Sequence, residues 1–239
     1  MPHQSGGGAQ KLLFEKQETL GYALKADIKH YFDTVDHAVL LGIIERKIKD
    51  ENTIWLIKTI LNNHKVDVSG KGMPIGNLTS QFFANVYLNE LDQFVKHILK
   101  AKYYLRYVDD FTIFHRDKAI LGKWKREIEG FLNGELKVEL HPQKSRIIEL
   151  KRGITMLGFR VFYHHRLLKK SNARRIWKRL ERFKQKYDSG ELTAEEAARS
   201  MEGWIAYAKF ANTYNFRQSV NSRFSDLFSP ARTGRRTSA

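Results

Sequence analysis

The sequence predicts an α+β body followed by an all-helical, strongly basic domain. Three observations carry this reading. The run Tyr22-Ala-Leu-Lys-Ala-Asp27 alternates and ends on an acid, as a half-buried strand does. Stretches with helical apolar spacing interleave with short β-rich runs as far as about residue 165. After that point the strands stop and cations crowd onto helices.

Taken in order, residues 1–15 are a Gly-rich leader without apolar period, expected to be disordered. The first strand follows and reaches Asp27-Ile28. Asp36 then stands as an N-cap before an apolar-periodic stretch through Ile48. A second helix covers Glu51 to Asn62. Gly70-Lys-Gly-Met-Pro-Ile-Gly76 reads as a loop by its Gly and Pro content. A long helix covers Ser80 to Leu99. Strands at Lys102–Val108 and Phe111–His115 flank Asp109-Asp110, which places that pair at a hairpin turn. Leu121–Leu132 is helical, and strands are expected at Glu135–Leu140, Ser145–Glu149 and Ile154–Tyr163.

The helix from Ser171 to Tyr187 carries Arg174, Arg175, Lys178, Arg179, Arg182, Lys184 and Lys186. Asp188-Ser-Gly190 breaks it, and Thr193-Ala-Glu-Glu196 is a capping box opening a helix to about Ala211. Trp177, Trp204, Tyr207, Phe210 and Tyr214 read as packing between these helices. Residues 229–239 form a basic, disordered tail.

The formal net charge is +16 across 239 residues. Such a charge points to an anionic partner, first of all nucleic acid, because phosphate neutralisation dominates its binding. Cysteine is absent, which excludes disulfides and thiolate metal sites and fits a cytoplasmic location. No apolar run is long enough to span a bilayer, and no membrane partner is expected.

Three carboxylates stand out. Asp27 ends a strand, and Asp109 and Asp110 share a turn. If the first strand pairs beside that hairpin, they face one point. All-oxygen ligation suits a hard cation such as Mg²⁺. Two such ions can stabilise the attacking and leaving oxygens of phosphoryl transfer. Taken alone, Asp-Asp is equally a good turn dipeptide. A nuclease or cyclase with paired carboxylates would also explain the three acids, and so would a remnant that only binds nucleic acid.

The flanking residues narrow this. Tyr107-Val-Asp-Asp110 with Phe111 resembles the hallmark of reverse transcriptases. Ala26-Asp27-Ile28 through Phe32 to Asp36-His37 resembles their motif A. Gly72-Met-Pro-Ile-Gly76-Asn-Leu-Thr-Ser80-Gln81 resembles motif B. His141-Pro-Gln-Lys144-Ser resembles motif D, and Leu157-Gly158-Phe159 resembles the primer-grip turn. The resemblance implies a palm over residues 16–165, an antiparallel sheet of three or four strands backed by helices. It implies an all-helical thumb over 166–228.

It also implies roles. Asp27, Asp109 and Asp110 would bind two Mg²⁺ ions, with Mn²⁺ as a substitute, and the Ile28 carbonyl would complete a metal site. Lys144 would protonate the leaving pyrophosphate. Phe32 would be a steric gate selecting dNTPs, with Ile75, Gly76 and Gln81 beside the nucleotide. Tyr107, Leu157, Gly158 and Phe159 would meet the primer, and Arg174, Arg175 and Lys178 the template–primer duplex. The implied partners are an RNA template, a DNA or RNA primer and dNTPs. The pattern Ile75-Gly76 with Ser80-Gln81 further resembles the enzymes of diversity-generating retroelements, which work with a small accessory protein. Family members carry a fingers subdomain before motif A. Only 26 residues precede Asp27 here, so a truncated chain is expected, and independent activity is the expectation most exposed to that difference.

Overall fold

The computed structural model describes residues 21–63, 70–74, 76–162 and 164–228. The leader, the tail and Ile75 lie outside the described residues. The chain divides into two compact units, one ending at Arg152 and one starting at Gly153.

The first unit is built on a four-stranded antiparallel sheet. Its strands are β1 (Tyr22–Asp27), β2 (Tyr103–Tyr107), β3 (Asp110–His115) and β4 (Arg146–Glu149), in the order β2-β3-β1-β4. The helices are α1 (Tyr31–Thr34), α2 (His37–Glu45), α3 (Glu51–Asn62), α4 (Leu78–Gln93) and α5 (Lys118–Glu135). Their starts follow from side-chain caps. Asp36, Asp50, Asn77 and Asp117 each accept a bond from a backbone N–H in the first turn, satisfying donors the helix leaves open. The core joins Leu24, Ala26 and Ile28 to Phe111 and Ile113 and to Tyr87, Leu88, Leu91, Leu121, Ile128 and Leu132 from the helices. One sheet face is therefore buried by helices, as the alternation in β1 requires.

Several boundaries differ from expectation for local reasons. The helix after Ser80 keeps α geometry only to Gln93, and Phe94–Ile98 continues as a π turn. The strand expected at Glu135–Leu140 does not form. Glu135 ends α5, Lys137 takes a φ of +53°, and only Leu140 bridges, to Ile28. Leu136, Val138 and Leu140 are all buried, so alternation there records burial of an irregular segment, not a ladder. The run expected as one strand at Ile154–Tyr163, whose last residue lies outside the described residues, contains a hairpin of β5 (Ile154–Met156) and β6 (Phe159–Val161), with Leu157 and Gly158 both at positive φ. That is the geometry of a two-residue primed turn.

A third short strand, β7 (Arg166–Leu168), pairs with β6, so the second unit opens with a small sheet. Its helices are α6 (Lys170–Asp188), α7 (Ala194–Ala208) and α8 (Tyr214–Phe228). Thr193 and Glu196 form the expected capping box at α7. Ile176, Leu180, Met201 and Val220 make the core of the bundle, with Trp177 and Trp204 packed against it. Phe210 and Tyr214 do not belong to that core. They are 57% and 67% exposed, because Phe210 follows the end of α7 and Tyr214 opens α8. Among the described residues no helix is long and apolar enough to cross a membrane.

Candidate active site

The register of the sheet places the first acid against the hairpin. Across the β1–β3 pair, Asp27 lies directly opposite Asp110, and Asp110 pairs with Tyr107 of β2. Val108 and Asp109 are thus the two central residues of the β2–β3 turn. Val108 has a φ of +55°. A β-branched residue in the left-handed region costs of order 1–2 kcal/mol and persists only where its surroundings hold it.

Lys25 shares the face of β1 that carries Asp27, and its ammonium bonds Asp110 Oδ2 at 2.7 Å. Lys144 reaches the other carboxylate, with Nζ 3.0 and 3.2 Å from Asp27 Oδ1 and Oδ2. Lys144 is legible in the sequence as part of a motif, whereas Lys25, a lysine in mid-strand, carries no local signal. Asp110 Oδ1 is buried without a hydrogen-bond partner among the described residues. Burial raises the Asp109 carboxyl above the ordinary carboxylate range; its own backbone N–H and Lys144 oppose this, while the charges of Asp27 and Asp110 add to it.

The three acids are neighbours on two strands and one turn, yet their oxygens are not gathered. Among the described residues no group of three His, Asp or Glu side chains is arranged to hold a metal ion. The physical reason is visible in the ion pairs: Lys144 draws the Asp27 carboxylate and Lys25 that of Asp110. The donor set still fits a hard divalent cation. It is all oxygen, and it includes an unpartnered buried carboxylate oxygen, which in a folded protein calls for a partner.

The segments around the acids are tied together by backbone bonds. Met73 N–H donates to the Phe32 carbonyl at 2.7 Å, Gly72 N–H to Val35 at 2.8 Å, and His37 N–H to Gly70 at 3.0 Å. The buried His37 ring meets the Gly72 carbonyl at 2.7 Å. The two blocks expected beside a nucleotide are therefore zipped to each other. Phe32 is half-buried and packs its ring 5.6 Å from that of Tyr31. Gly76 has a φ of +91°, Asn77 caps α4, and Gln81 is exposed in its first turn. Ile28 buries its side chain, which leaves only its backbone for any other task.

In the sequence Ser145 is only the end of a motif. It is buried, and its hydroxyl accepts from Asp27 N–H at 3.4 Å and donates to the Asp27 carbonyl at 3.3 Å. His141 N–H donates to the same carbonyl at 2.7 Å. The motif that carries Lys144 thus also fixes the backbone of the acid that Lys144 pairs with.

Tyr107 is exposed beside the turn. In the second unit, Leu157 and Gly158 form the β5–β6 turn and Phe159 starts β6. Two residues that sequence reasoning did not assign to this turn hold it. Tyr207 donates to the Leu157 carbonyl at 3.4 Å and packs its ring against that of Phe159, tilted by 36° at 4.7 Å, and Asn172 donates to the Gly158 carbonyl at 3.3 Å. On α6, Ile176 and Leu180 face the bundle core while Arg174, Arg175 and Lys178 are exposed.

Known proteins resemble the chain in sequence and in fold. The chain is 30% identical over 192 residues to Protein YkfC of Escherichia coli, covering 64% of this chain and 49% of that protein. It is 28% identical over 155 residues to the group II intron-encoded protein LtrA of Lactococcus lactis, covering 61% of this chain and 26% of that one. The chain thus spans half or less of these relatives. The fold resembles apo telomerase from Candida tropicalis, with a TM-score of 0.59 at 16% identity, over 93% of this chain and 45% of that one. Telomerase from Candida albicans, solved with a fragment of telomeric RNA, gives 0.56 at 12% identity over 95% of this chain and 50% of that one. The family profile described as reverse transcriptase (RNA-dependent DNA polymerase) matches residues 2–161, and the chain belongs to that family.

Proposed function

We propose that this chain carries the catalytic centre of an RNA-directed DNA polymerase that extends a primer 3′-OH with dNTPs. The observation that carries the reading is the pairing of Asp27 with Asp110 across β1 and β3, with Asp109 in the adjoining turn. Asp27, Asp109 and Asp110 would hold divalent metal, Mg²⁺ first and Mn²⁺ as a substitute, with the Ile28 carbonyl as a further oxygen. Bound there, two such ions supply charge stabilisation to the attacking and leaving oxygens.

The chain's own groups do the rest. Aspartate rotates about two side-chain bonds, so the carboxylates can leave Lys25 and Lys144 and converge. Lys144, released from Asp27 and more than half exposed, is a flexible cation within reach of a leaving pyrophosphate and can hand it a proton. Positioned proton transfer of this kind contributes about 10²–10⁴-fold. Phe32, backed by its bond to Met73, would exclude a ribose 2′-OH. Gly76 and Gln81 would border the base, Tyr107 and the Leu157-Gly158-Phe159 turn the primer, and the exposed Arg174, Arg175 and Lys178 the duplex phosphates. The absence of cysteine suits action in a reducing cytoplasm.

Ile75-Gly76 with Ser80-Gln81 supports a place in a diversity-generating retroelement with an accessory protein. Ile75→Gln tests that assignment: sequenced cDNA should show fewer errors opposite template adenine, and an unchanged adenine error rate refutes it. The activity itself is tested by primer extension on an RNA template with Mg²⁺ and dNTPs. The native chain should extend, and the Asp109→Ala, Asp110→Ala double variant should not. Duplex binding without extension by the native chain selects the alternative of a nucleic-acid-binding remnant.

A further inference from the structure

The strained turn between β2 and β3 is held from behind. Arg106 precedes the turn on β2, and its register partners are Phe111 of β3 and, one strand on, Ala26 of β1. Phe111 and Ala26 are fully buried, so Arg106 lies on the sheet face covered by helices, opposite the carboxylates. Its side chain is 10% exposed. A guanidinium there needs partners, and it makes four hydrogen bonds. Nε donates to Asp92 Oδ1 at 2.7 Å and Nη2 to Asp92 Oδ2 at 2.5 Å, a two-pronged grip on α4. Tyr104 donates to the same Asp92 Oδ1 at 2.7 Å. The remaining arm, Nη1, donates to the Val108 carbonyl at 3.0 Å and to Asn85 Oδ1 at 3.1 Å. Asn85 Nδ2 in turn donates to the Gln81 carbonyl at 2.9 Å.

We infer that Arg106 is the positioning residue of the metal-binding turn, fixing Val108 in its left-handed conformation and linking that turn to the nucleotide-facing start of α4. The inference rests on the polymerase reading above. Asp92 anchors the planar fork, and the fork reads two acceptors at once: the carbonyl inside the turn and the amide of Asn85. Lysine keeps the charge but has no fork, so it cannot hold Asp92 by two bonds and still reach both of the others. A turn released from Val108 would let Asp109 and Asp110 move by the fraction of an ångström that phosphoryl transfer does not tolerate. Arg106 itself touches neither substrate nor metal.

The test uses the full chain with Arg106→Lys and, separately, Asn85→Ala. Asn85 is exposed, so its truncation leaves melting temperature unchanged while removing one acceptor of the shared arm. Mn²⁺ binding is titrated by the loss of the free-ion electron paramagnetic resonance signal, and primer extension is measured beside it. Arg106→Lys should weaken Mn²⁺ binding about tenfold and lower kcat by about 10²-fold, with the KM for primer–template unchanged. Asn85→Ala should raise the KM for dNTP two- to fivefold at native melting temperature. Native Mn²⁺ affinity in Arg106→Lys overturns the inference, and so does a fall in kcat matched by loss of folded protein with Asn85→Ala behaving as the native chain. A native chain that binds Mn²⁺ without extending primers defeats the polymerase reading alone. In that case the Mn²⁺ titration of Arg106→Lys still decides the role of Arg106.

Discussion

Replacing Gly158 by Ala should destabilise the second unit by about 2–5 kcal/mol. Gly158 has a φ of +84°, and a Cβ built on it lies 2.2 Å from the Tyr207 hydroxyl and 2.7 Å from Asn172 Nδ2. The left-handed backbone alone costs an L-residue about 1–2 kcal/mol. Clearing the contact means displacing Tyr207, whose ring packs against that of Phe159. That movement loses its bond to the Leu157 carbonyl and the 3.2 Å bond from Asn172, each worth about 0.5–1.5 kcal/mol. The assay is urea unfolding followed by tryptophan fluorescence in a Trp55→Phe, Trp124→Phe background, so that Trp177 and Trp204 report the bundle alone. Two compact units make a single two-state fit to the whole chain unsafe. Adding Tyr207→Phe to Gly158→Ala removes the clashing oxygen and should recover about 1 kcal/mol relative to the single variant. A single variant within about 0.5 kcal/mol of the native chain, the range of an ordinary surface change, would show that the turn is not locked by Tyr207.

Burial and its neighbours raise the Asp109 carboxyl, so the folded chain holds that proton at higher pH than the unfolded chain does. Stability should therefore fall as pH rises from the ordinary carboxylate range through the raised value. Asp109→Asn should remove that component and raise stability at pH 7, read from urea midpoints at several pH values; a pH profile identical to the native one refutes the attribution. Arg174→Ala, Arg175→Ala and Lys178→Ala together should reduce the log–log salt slope of duplex binding by about 2–3; an unchanged slope would move the phosphate contacts off α6. Phe32→Ala should admit rNTPs while keeping dNTP incorporation, measured by competition on one template, and continued exclusion of rNTPs would place the gate elsewhere.

Much of the first unit was legible because its signals are local. Alternation named β1 to within a residue, Asp36 announced α2, and Asp109-Asp110 between two β-rich runs announced a turn. What escaped was either non-local or concealed by burial. The β5–β6 hairpin looked like one strand because its turn is only Leu157-Gly158, and a leucine gives no hint of positive φ. Glu135–Leu140 looked like a strand because alternate burial has period two whether or not a partner strand exists. Phe210 and Tyr214 looked like core because aromatic residues on a helical spacing usually are; only the ends of α7 and α8 show that they face outward.

The same division separates the acids from what holds them. Asp27, Asp109 and Asp110 are recognisable because carboxylates at a strand end and beside a turn are the residue types that a hard cation would call for. Lys25, Arg106, Asp92 and Ser145 are chosen by distances that exist only after folding. Lys25 is two residues from Asp27 in the chain but meets Asp110 across the sheet. Ser145 is 118 residues from the backbone it grips. A valine in a left-handed turn is the local mark that such support must exist. Its side chain offers no hydrogen bond, so the force that keeps it there has to come from elsewhere, and Arg106 supplies it from the opposite face of the sheet.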